Sequence, residues 1–167
     1  MIKIAFLSAT LLSVLPIAAA IADTATPTKL MVGSVYEHTG TPSQSGYACA
    51  IKAGAGSFQR EAATTKEKNP DALLSLPEVT IKSGATTTSY SALATLDFST
   101  ATSGKIMFDD NDGDDAAPKT KVAFAGYSQV YSSKTFELKV TFNLNFKGCT
   151  LPVKALFRAA PQPHVIA

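Results

Sequence analysis

Between Phe136 and Phe146 every second residue is apolar: Phe136, Leu138, Val140, Phe142, Leu144 and Phe146, in the stretch TFELKVTFNLNFKGC. Alternation of this length marks a β-strand with one face against a core and the other toward water. The opposite face carries Glu137, Lys139, Thr141, Asn143, Asn145 and Lys147. Burying an apolar side chain stabilises by roughly 1.5–3 kcal/mol, while ordering the backbone costs about 1–2 kcal/mol per residue, so the strand holds only in company. The rest of the chain must cover its apolar face.

Other segments repeat the pattern on a shorter scale. KLMVGSVYE (29–37) places Leu30, Val32 and Tyr36 on one side, and residues 46–53 form a strand around Cys49. TTTSYSALATLDF alternates Tyr90, Ala92, Ala94, Leu96 and Phe98 against polar neighbours; EVTIK, GKIMF, KTKVAFAGYSQVY and CTLPVKALFRA follow the same logic. Turn residues separate these runs, and KTKVAFAGYSQVY leads through SSK into the long strand as its antiparallel partner. The expectation is an all-β, mainly antiparallel fold with an immunoglobulin- or pilin-like sandwich architecture, a soluble β-barrel being the alternative. A short helical excursion is expected near 57–76. Ser57 to Lys68 is rich in Ala, Glu, Lys and Gln; Asn69 and Pro70 suit an N-cap and first helical turn, and Pro77 a stop. A transmembrane barrel fits less well, because few other segments alternate over ~9–11 residues and aromatic girdles are missing.

At the N-terminus Lys3 precedes an apolar run that closes on Ala20, Ile21 and Ala22, the pattern of a secretory signal peptide over 1–22. The run is short of the ~20 residues of a membrane-spanning helix, so no stable membrane insertion is expected after its removal. Residues 23–28 read as a flexible lead-in, 29–159 as one β-domain and 160–167 as a flexible tail. The protein is thus expected to be exported, to a periplasmic, cell-surface or secreted location. An isolated cysteine pair there most simply forms a disulfide, here Cys49 to Cys149. With a formal charge of +2 for the whole chain and no Lys/Arg cluster, nothing points to nucleic acid.

Chemistry-bearing motifs are sparse. The turn DDNDGDD offers Asp109, Asp110, Asp112 and Asp114 around Gly113 as a calcium loop, although the first ligand place falls on Phe108 and no distal Glu follows. A charged turn between strands explains the same residues. His38 and His164 are the only histidines, Ser128 lacks the second glycine of a nucleophile elbow, and no catalytic residues are assigned. Tyr36, Tyr127 and Tyr131 are candidates for a binding surface, since tyrosine joins an apolar ring to a polar tip.

In general plan the chain is similar to bacterial pilin-like and adhesin-like subunits, which combine a signal peptide, a sandwich and one disulfide. The resemblance covers architecture only: the cysteines here lie far apart and the tail is PQPHVIA. The expected role is non-enzymatic, with a protein or glycan partner at the cell surface or self-assembly. The alternatives are a small secreted hydrolase whose site is assembled from loops, which His38 beside a serine and a carboxylate would favour, and a calcium-dependent binding protein.

Overall fold

In the computed structural model, residues 29–90, 93–108 and 120–159 are described. The expected signal segment 1–22, lead-in 23–28, acidic turn and tail 160–167 lie outside them. The described residues form β1 (Met31–Val35), β2 (His38–Thr39), β3 (Thr41–Pro42), β4 (Tyr47–Ile51), β5 (Gly54–Arg60), β6 (Ala72–Ser75) and β7 (Val79–Ser83). They continue with β8 (Thr86–Tyr90), β9 (Leu93–Phe98), β10 (Gly104–Phe108), β11 (Thr120–Ser132), β12 (Glu137–Phe146) and β13 (Cys149–Ala159).

The larger sheet runs β1-β5-β6-β9-β10-β11-β12-β13, all pairs antiparallel. Its two ends meet. β1 pairs with β13 from Met31 opposite Ala159 to Val35 opposite Ala155, closing an eight-stranded barrel. The expected sandwich is therefore corrected to the alternative architecture, a barrel. Alternation reports that one face of a strand is covered; it does not say whether a second sheet or the far wall of the same sheet covers it.

The expected helical excursion is also corrected, because β5 and β6 occupy its two ends. Phe58 and Arg60 are buried from β5, and Ala72 and Leu74 from β6, with the period of two that a strand requires. The stretch rich in Ala, Glu and Lys between them is a loop, braced where the Glu67 amide donates to Thr64 Oγ1. Helix propensity in that loop yields to the burial of its flanks.

Inside the barrel Leu138, Val140, Phe142 and Leu144 of β12 face Met31, Phe58, Leu96, Ile106, Leu151 and Phe157, all buried. Small residues make room for large ones: a Cβ on Gly56 would fall 2.9 Å from Val35 Cγ2 and 2.8 Å from the Ser75 carbonyl oxygen, beside the Phe157 ring that stacks on Phe58 at 5.8 Å. Lys139, Asn143 and Asn145 point outward and are exposed. Apolar residues inside and polar ones outside is the inverse of a transmembrane barrel. On β1 the inward residues are Met31 and Val35, whereas Leu30, Val32 and Tyr36 are exposed.

Two excursions leave the same end of the barrel. β1 ends opposite the start of β5, and Ser75 at the end of β6 lies opposite Leu93 at the start of β9. The chain between each of these pairs of strands contributes to a second sheet, ordered β2-β4-β7-β8. This sheet docks on the barrel through buried Ile51 and Val79 and through Tyr90, whose ring stacks on Phe108 at 4.6 Å.

The disulfide links Cys49 of β4 to Cys149 of β13, so it bolts the small sheet to the barrel. Gly40 lies against it. Its amide donates to the Cys49 carbonyl at 2.8 Å, and a Cβ there would fall 2.7 Å from Cys149 Sγ and collide with Cys49 Sγ. Only glycine allows this approach. Such a bond fits an oxidising environment.

Candidate functional site

Closing the barrel pairs every one of its strands on both sides, so among the described residues the long open edge belongs to the small sheet. There, among the described residues, β8 pairs with β7 alone, from Ser83 opposite Thr86 to Val79 opposite Tyr90. The hairpin turns on two residues, Gly84 and Ala85, with Gly84 at φ +61°, the sign pattern of a type II′ turn that glycine favours. The Gly84 amide donates to the Gly46 carbonyl at 3.0 Å, which anchors the turn to the loop before β4.

A two-residue turn fixes which backbone groups face outward. The residues flanking it, Ser83 and Thr86, exchange hydrogen bonds, and the pattern alternates along the ladder. Ile81 with Thr88 and Val79 with Tyr90 are then bonded pairs, and Thr87 and Ser89 turn their N–H and C=O groups away from β7. Thr86, Thr87, Thr88 and Ser89 are all exposed. Edge strands are commonly blunted by charges, proline or a bulge. β8 carries no charge and no proline, and its register with β7 is unbroken. At the other side of this sheet β2 spans only His38 and Thr39.

The far mouth of the barrel holds a second distinctive group. Arg60 is the one buried charged side chain among the described residues. Its guanidinium carbon lies 4.0 Å from the centroid of Phe98 and 5.6 Å from that of Tyr127, and its Nε donates to the Pro70 carbonyl at 2.8 Å. Phe98, Phe124, Tyr127 and Phe142 pack around one another with centroids 4.8–6.4 Å apart. A bulge between Ala125 and Ser128 turns Tyr127 inward, and the Tyr127 amide donates to the Thr102 carbonyl at the β9–β10 turn. Burial pushes the Tyr127 phenol up to about 12, against the pull of the neighbouring Arg60 charge. Its hydroxyl donates to Gln129 Oε1 at 2.9 Å.

The three candidate tyrosines do not share a surface. Tyr127 is buried in the barrel, Tyr131 is half-buried near the far end of β11, and Tyr36 is exposed beyond β1. Tyr36 lines a groove of about 310 Å³ on the outer wall with Val32, Ser34, Leu156 and Arg158. Arg158 there is held by Glu137, whose carboxyl lies below its usual range because of the Arg158 hydrogen bond.

Asp109, Asp110, Asp112 and Asp114 lie outside the described residues. The turn they belong to joins Phe108 to Thr120, which pair in register. Among the described residues no group of three or more His, Cys, Asp or Glu is placed to hold a metal. His38 pairs with Ile51 in the small sheet, and among the described residues its buried Nε2 has no hydrogen-bond partner, so none of their serines or carboxylates engages that nitrogen.

Sequence reasoning missed both Arg60 and the β8 edge. Arg60 stands in an apparent helical run, and TTTSY continues without a break into SALATLDF, so it reads as the first half of one long strand. The Gly84-Ala85 pair between two β-rich runs was the available signal for the hairpin. Compared with known proteins, the chain matches no family model, and neither a curated protein nor a solved structure resembles it significantly.

Proposed function

We propose that this is an exported, non-enzymatic protein that works by joining to a protein partner at the cell surface or in the periplasm. The observation that carries the reading is the β8 edge, which no described residue pairs with or covers by charge or proline. Strand addition to such an edge supplies main-chain hydrogen bonds without a preformed pocket. The barrel interior, by contrast, is occupied by the protein's own aromatic and aliphatic side chains, which favours work on the outside over carriage of a ligand within. The disulfide supports an oxidising location. The hydrolase reading loses ground because His38 has no serine or carboxylate partner among the described residues.

The test is photo-crosslinking in the producing cell. A photoreactive residue at Thr87, on the open edge, should give a protein adduct, while the same residue at Asn143, on the barrel's outer wall, should not. No adduct at Thr87, or equal adducts at both places, sinks the reading.

A further inference from the structure

We infer that the partner at the β8 edge is a second copy of this chain, joined β8 to β8 about a two-fold axis. This inference rests on the edge-joining reading above and adds the identity of the partner.

The register provides the argument. Thr87 and Ser89 are the residues whose backbone groups face away from β7. If two β8 strands meet antiparallel with Thr88 opposite Thr88 of the other copy, Thr87 falls opposite Ser89 of the other copy, and Ser89 opposite its Thr87. Each of these pairs exchanges two hydrogen bonds, so the symmetric arrangement uses every outward N–H and C=O at both positions. The central Thr88 pair becomes a close, non-bonded pair of the kind in which threonines face each other well.

Charge allows the same arrangement. Like charges directly opposite destabilise a strand pair, and this strand, TTTSY, carries none for its own copy to oppose. A charged partner would find no complement on it. The arrangement is also self-limiting: a two-fold contact consumes both β8 edges, and the opposite edge of each small sheet is the two-residue β2, too short to continue the sheet. The expected product is therefore a closed dimer with one continuous sheet across the contact.

Sedimentation velocity on the purified, disulfide-bonded protein, from low to high micromolar concentration, tests this. The wild type should pass from monomer to dimer. Ser89→Pro removes an outward N–H and leaves the bonds to β7 in place, so it should stay monomeric with an unchanged monomer melting profile. Thr88→Lys and Thr88→Glu, each facing its own copy, should be monomeric alone and dimerise when mixed. A wild type that remains monomeric throughout overturns the inference, as does a dimer that survives Ser89→Pro. A monomeric protein that still gives a Thr87 adduct with another protein in the cell refutes the second copy and leaves the edge-joining reading standing. Loss of that adduct as well removes both.

Discussion

The Arg60 guanidinium stacks over the Phe98 ring at 4.0 Å while its Nε is tied to the Pro70 carbonyl. A cation lifted out of water onto an aromatic face gains about 2 kcal/mol, and its alkyl stem fills the barrel mouth besides. Arg60→Ala should therefore destabilise by about 2–4 kcal/mol in urea unfolding. Arg60→Lys keeps the charge and loses the planar stack and the Nε bond, so it should recover only part of the difference. Full recovery by lysine would show that charge alone matters there.

Tyr127 links stability to alkaline pH. Its phenol titrates near 12 when folded, against 10.0 for the ordinary group, because burial disfavours the anion. A raised folded value means the contribution is complete below pH 10 and is lost as pH rises toward 12. The swing is about 2–3 kcal/mol. Tyr127→Phe should lose this part of the pH dependence. The check is unfolding free energy at several pH values between 9 and 12 for both proteins; parallel curves would contradict the assignment.

The disulfide joins residues separated by 100 positions. Loop-closure arguments put the cost of removing such a bond at about 2–5 kcal/mol. The double variant Cys49→Ala, Cys149→Ala should show it in chemical denaturation. Gly40→Ala should cost at least about 2 kcal/mol with the bridge intact, since its Cβ meets both sulfur atoms, and less in the double variant. An identical cost in both backgrounds would mean the strain lies elsewhere.

Phe136 sits at φ +55°, where a side chain is strained by roughly 1–2 kcal/mol, and the residue is 61% exposed. Phe136→Gly should be neutral or stabilising by up to about 1 kcal/mol, and a clear loss of stability would reveal a contact for the ring.

Phe136 also shows where the sequence misled. It opens the alternating run and reads as the first core residue of the strand, yet it belongs to the turn before β12, and burial begins at Leu138. The period of two survives a change of conformation at its end, so pattern alone cannot mark the boundary. Leu138 to Leu144, the hairpin with β11 and the Cys49–Cys149 bond were legible because each leaves a local or compositional trace. The β1–β13 pairing leaves none: Met31 and Ala159 meet across nearly the whole domain. Nor does the β8 edge, which shows only once the strand order of the small sheet is known.

The same long-range pairing sets a timetable. The seam and the sulfur bridge both draw on β13, the last of the described strands, so the barrel cannot close nor the small sheet be fastened until that strand arrives. A chain delivered from its N-terminus would remain unlatched, and hence able to pass through a narrow opening, until β13 has come through.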